Sequence, residues 1–267
     1  MTTDDAWERA VTLGSRGRYL ESWAVLDARG REDAPALTLR ASHLRQIGEG
    51  ESAMAGDRSA LLIARDQEER ADARIGMSAD LLCAGDAHAA ARELDAAAPD
   101  ALAAGWRTST RLAWVRAEVA LAGGDVDSAL RQAGEAARLS APNSARHEAK
   151  SRIIRAAALL SPGATGTDGE AGGDSVAEGL ADLIAAAATL RQAGLATLQW
   201  PAALVALDAL ERGAATGRSP GASQALARLV VEGRSAASLI AEHLPPDLAA
   251  RWLARPDVVR LAATDRE

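Results

Sequence analysis

The chain has no phenylalanine, one tyrosine and six tryptophans, so aromatics make up only 3% of its 267 residues. Strands draw on aromatic and β-branched residues, so this poverty argues against a mostly β fold. Cysteine occurs once, as Cys83, which excludes an intramolecular disulfide framework and a cysteine-rich zinc site. Lysine also occurs once, as Lys150. A phosphate-binding Gly-Lys-Ser/Thr loop and a protein-kinase constellation are therefore absent. No His-Glu-x-x-His stands among the four histidines, His43, His88, His147 and His243, and no Gly-x-Ser-x-Gly elbow occurs. No metal or cofactor site is expected; Cys83 reads as buried and His88 as exposed. No apolar run reaches membrane-spanning length: the longest, Val176 to Leu190, is broken by Glu178 and Asp182. The first residues carry Asp4 and Asp5 and lack a basic leader, so a cytoplasmic protein off the membrane is expected. A net charge of −7 disfavours nucleic acid as the main partner.

Alanine fills 66 positions, and with leucine it makes a helix-forming, close-packing composition. Four stretches share one pattern. Small residues fall 12 apart on either side of a glycine turn: Ala10 and Ser22 around Gly17, Ala41 and Ala53 around Gly48, Ser78 and Ala90 around Gly85, Ala117 and Ala129 around Gly124. The first small residues of these units are spaced 31, 37 and 39 apart. Two antiparallel helices joined by a tight turn need small side chains where they cross and a residue tolerant of positive φ in the turn. Such pairs bury their apolar faces by stacking.

The fourth copy, with Trp114, Ala117, Gly124, Asp125, Ala129, Ala136 and Pro142, resembles the tetratricopeptide repeat; the third, ending at Pro99, is next. The likeness covers Asp4 to Pro142 and extends toward Arg234, although the first copy lacks the family's tryptophan–leucine–glycine signature. It implies an all-α, right-handed superhelical solenoid whose first helix in each pair lines a concave groove. The expected organisation is one domain over 1–267. Its best repeats lie in 1–142 and its longer ones in 143–234, with a flexible loop at 161–174, and cap helices fill 235–267. Helices are predicted over Ser144–Leu160, Ser175–Gln192, Trp200–Arg212, Ala222–Glu232, Ala236–His243, Pro246–Leu253 and Pro256–Ala263. The ending Leu244 to Pro256 is also similar to helical regions attached to bacterial transcription regulators, without a DNA-binding helix pair.

One charge feature stands out. Between Trp106 and Leu160, nine basic residues face five acidic ones inside an acidic chain. Arg107, Arg111 and Trp114 share a helix face by spacing, as do Arg146 and Lys150 with Asn143 beside them. Together these six predict a basic groove for a protein or peptide partner bearing acidic or C-terminal carboxylate groups. Three functions remain open: a non-catalytic interaction scaffold, a ligand- or peptide-sensing regulatory module, and an enzyme acting through Lys150. Capture of a protein partner, thermal stabilisation by a small molecule, and turnover lost in Lys150→Ala distinguish them.

Overall fold

The computed structural model describes residues 3–28, 33–162, 171–214 and 220–264. Fourteen helices run through the described residues, with no strand among them. They are α1 (Thr3–Ser15), α2 (Tyr19–Asp27), α3 (Ala34–Gln46), α4 (Gly50–Ile63), α5 (Gln67–Cys83), α6 (Ala87–Ala104) and α7 (Trp106–Ala122). Then follow α8 (Val126–Ser140), α9 (Ala145–Leu159), α10 (Ala171–Ala193), α11 (Ala196–Glu211), α12 (Pro220–Glu242), α13 (Pro246–Leu253) and α14 (Pro256–Ala263). None is long and apolar enough to cross a membrane among the described residues.

The glycine turns work as their chemistry demands. Gly17, Gly48, Gly85 and Gly124 all have φ between 76° and 91°, which side chains with a Cβ rarely adopt. At each turn the amide after the glycine reaches back to a carbonyl in the helix just ended, as Asp86 N does to Leu81 O and Asp125 N to Ala120 O. Asp86 and Asp125 then start the next helix, their carboxylates accepting from the amides of Ala89 and Ser128. The predicted small residues meet where the paired helices cross, all fully or almost fully buried. The approach is close enough for Ser22 Oγ to donate to Ala10 O at 2.8 Å and Ser78 Oγ to Ala90 O at 2.9 Å.

Each odd-numbered helix from α1 to α11 packs on the even one after it, and α3, α5, α7, α9 and α11 pack on one another in sequence. This row curves until α1 returns to touch α11. The seam is held by Thr197 Oγ1 donating to Ser15 O, Leu20 N to His243 O and Arg255 Nη1 to Gln46 O, and by an Arg251–Glu49 ion pair. One continuous apolar core joins the first three helices to α9–α14, with Trp23, Trp200 and Trp252 inside it. Between them, α4–α8 hold smaller clusters dominated by alanine.

Several expectations need correction. Helix α6 does not end at Pro99 but runs through it to Ala104, because buried Ala97 and Ala101 keep both sides of the proline packed. Helix α11 begins at Ala196, with Pro201 inside rather than at its start. The segments on either side of Gly233 form one helix, α12. Gly233 does not break it; a Cβ there would stand 2.1 Å from that of Ala203, so the glycine lets α12 cross α11 closely. Ala171–Asp174, expected in a loop, open α10, while 163–170 of that stretch lie outside the described residues, as do 215–219. Cys83 is exposed rather than buried, because it is the last residue of α5 at a turn.

Candidate functional site

Five of the six predicted groove residues converge on the inner side of the curve, where α5, α7 and α9 lie side by side. Arg107 and Arg111 project from α7. Arg107 Nη2 pairs with Glu68 Oε1 at 2.5 Å and Asp72 Oδ2 at 2.6 Å, and Arg111 pairs with Asp72. Both acids belong to α5. Trp114 is buried, its Nε1 donating to Ser151 Oγ of α9 at 2.8 Å. Its indole lies under the Lys150 ammonium, 4.5 Å from the ring centroid, and stacks with His147 at 5.3 Å. Trp114 therefore fastens α7 to α9 and leaves little surface for a ligand. Asn143 departs from the prediction. It stands in the exposed turn before α9, where its amide caps α8 by donating to Leu139 O. Ser144, not Asn143, starts α9, so Asn143 has no place in that helix's register.

The arrangement has a register that the sequence encodes. Glu68, Arg107 and Arg146 are each 39 residues apart, and so are Asp72, Arg111 and Lys150. These are equivalent positions on α5, α7 and α9. Each row runs from an acid on α5, to an arginine paired with it on α7, to a second cation on α9. The next helix in the row, α11, carries no acid before Asp208, and both Asp208 and Glu211 are engaged by Arg260. The α9 cations are thus left with little counter-charge. Lys150 has Glu118 of α7 at 3.7 Å. Arg146 makes no hydrogen bond or ion pair among the described residues, although its charge acts on Tyr19 and His43 from the opposite wall. Four cations, Arg107, Arg111, Arg146 and Lys150, therefore face three acids, Glu68, Asp72 and Glu118, an excess of one positive charge.

The imidazoles register that excess. Burial, then repulsion from Arg146, Arg107, Arg111 and Lys150, pushes His147 down to about 4. Burial, then Arg146 and Arg40, pushes His43 down to about 3. Both are neutral near pH 7. His43 stacks on Tyr19 at 4.7 Å, and the Tyr19 hydroxyl donates to Gln46 Oε1 at 2.6 Å, so this wall offers no charge of its own. Burial lowers the pKa of Lys150, Arg111 and Arg146. Yet the Lys150 side chain keeps 31% of its surface accessible. A side chain both enclosed and wet is what a concave inner face produces.

Most of the basic residues of this stretch that point elsewhere are neutralised locally. Arg152 and Arg155 both pair with Asp182 of α10, and Arg138 pairs with Glu135 one turn back.

Beneath the inner face lies a group that sequence reasoning did not find. Arg45 of α3 holds Asp57 of α4 through Nη2 at 2.5 Å and Asp80 of α5 through Nε at 2.6 Å. Both carboxylates are almost completely buried. No spacing in the sequence marks this triad, because its members occupy different registers of three helices. The α5 acids, in contrast, could have been found by stepping back one repeat from Arg107 and Arg111. No family model matches the chain, and no curated protein matches it in sequence, so the site stands on its own geometry.

Proposed function

We propose that the protein is a non-catalytic binding module, a right-handed solenoid of tetratricopeptide-like hairpins that receives an acidic segment of a partner protein on its inner face. The observation that carries this reading is the pair Arg146 and Lys150, two cations one turn apart on α9 with no acid facing them from α11. An arginine fork and a lysine ammonium, both half-buried on a concave surface, suit a carboxylate-bearing chain. The charge excess is small, so the contact is selective for acidic partners rather than for polyanions such as nucleic acid.

Lys150 has no covalent role in this reading: burial lowers its pKa, and the Trp114 ring and Glu118 offset part of that by favouring its charged form. A second reading, a regulatory module sensing a small anion, draws on the closure of α1 onto α11, which brings Tyr19 and His43 opposite Arg146. A peptide array screened with the full chain tests the first. Bound sequences should be rich in Asp and Glu, binding should weaken as salt is raised, and Arg146→Gln should remove it. Indifference to peptide charge and to Arg146→Gln overturns the reading. Thermal stabilisation by small acids without any peptide binding favours the second.

A further inference from the structure

The Arg45–Asp57–Asp80 triad is a buried cation shared by two carboxylates. Each carboxylate gives one oxygen to the guanidinium, Asp57 Oδ2 and Asp80 Oδ1. Their remaining oxygens, Asp57 Oδ1 and Asp80 Oδ2, are buried without a donor. The two side chains are nevertheless within hydrogen-bonding reach of each other, and that contact favours the ionised form of Asp80. A single proton held between them supplies the missing donor. Its retention has a plain cause, since two adjacent buried carboxylates cannot both ionise against one arginine. Burial above all, then the charge of Asp80, outweigh Arg45 and Arg111 and push Asp57 up to about 7. Helix α5 packs closely on the pair: a Cβ on Gly76 would stand 2.1 Å from Asp57 Oδ2.

The triad is electrically joined to the inner face. Arg111 acts on Asp57, and Arg45 acts on both Arg111 and Lys150. The charged or titratable groups around the pair are Arg45 from α3, Cys83 from α5 and Arg111 from α7. While the pair keeps its proton the triad is neutral, and the excess positive charge above it is undiminished. When the proton leaves, the added negative charge cancels that excess.

We propose that binding of an acidic ligand on the inner face is coupled to proton retention by the Asp57–Asp80 pair, which makes the pair a built-in pH control on that site. This rests on the reading of the inner face given above. An anion beside Arg111, Arg146 and Lys150 disfavours ionisation of Asp57, so binding draws in a proton near neutral pH, and by linkage affinity falls as pH rises through about 7.

The test is calorimetric titration of the full chain with a glutamate-rich peptide, in two buffers of different ionisation enthalpy. The expected result is uptake of about 0.3–0.5 proton per peptide near pH 7, the amount that accompanies a three- to tenfold linkage. Affinity should drop about three- to tenfold between about pH 6 and 8, the size expected for one charge acting across roughly 10 Å of protein. Asp57→Asn keeps the shape but not the titration, and should bind with neither proton uptake nor this pH dependence. Asp80→Asn leaves a single carboxylate opposite Arg45 and should likewise flatten the profile. Peptide binding without proton uptake in the wild type, or an unchanged profile in Asp57→Asn, overturns the coupling and leaves the inner-face reading standing. A peptide that does not bind at any pH overturns both. The shared proton itself is then still read from the pH dependence of stability described below.

Discussion

The seam and the middle of the molecule are built from the same helical pairs but hold together differently. At the seam, α1–α3 meet α9–α14 around large side chains: Trp252 is fully buried, packs edge-on against Trp200 at 5.1 Å and donates to Ala237 O at 2.8 Å. In the middle, α4–α8 touch mainly through alanine, so the apolar layer is thin and the inner face is free to carry ion pairs. Apolar burial is thus heaviest at the seam, while the charged rows run across α5 and α7 of the middle and end on α9, where the two parts meet. Large apolar burial closes the curve, and small residues in the middle bring polar rows close enough to interact.

This contrast can be broken experimentally. The largest effect belongs to the seam. Trp252→Ala should cost about 3–5 kcal/mol, read by chemical denaturation, and should expose α1 and α2 to proteolysis along with α13 and α14. A loss confined to α13 and α14 would show that the seam is not one cooperative core. In the middle, Ala129 is fully buried at the α7–α8 crossing, and Ala129→Leu should overpack it at a cost of about 1–3 kcal/mol. A melting point within a degree of wild type would mean that this crossing is loose.

The third effect depends on pH. The folded state holds a proton on Asp57 up to about 7, against an ordinary value of 3.8. Between those values the folded state binds more protons than the unfolded chain, so this group's contribution to stability declines as pH rises. His43 and His147, pushed down to about 3 and about 4, act with the opposite sign below their ordinary 6.5. Comparison with Asp57→Asn isolates the carboxylate: the stability of the variant relative to wild type should grow from about pH 4 to about pH 7. A constant difference across that range would mean that Asp57 is ionised throughout.

The smallest effect separates two arginines that look alike in sequence. Arg111→Ala removes a partner from Asp72, whose side chain is largely buried, and should lower the melting point measurably. Arg146→Gln breaks no ion pair and should leave it unchanged within error. Equal losses in both would indicate that Arg146 supports the fold rather than facing a ligand.

Much of this was legible in the residues. The 12-residue spacing of small side chains and the glycine turns follow from local rules, since each turn needs one positive-φ residue and each crossing needs two small ones. The basic positions on α7 and α9 were legible too, because side-chain direction on a helix follows from spacing alone. Asn143 was misjudged because a helix face cannot be extended past its capping residue, and Gly233 because a glycine that permits close crossing looks the same as one that ends a helix.

What the sequence by itself determined is therefore the first four helical pairs, their glycine turns and the small residues at their crossings. The tertiary structure alone decided that α1 comes round to α11, that Tyr19 and His43 stand opposite Arg146, and that Arg45 binds carboxylates from two other helices. The reason is geometric. Pairing is fixed by turns a few residues long, whereas closure is the sum of small rotations over successive pairs, and only the packed structure sets that sum.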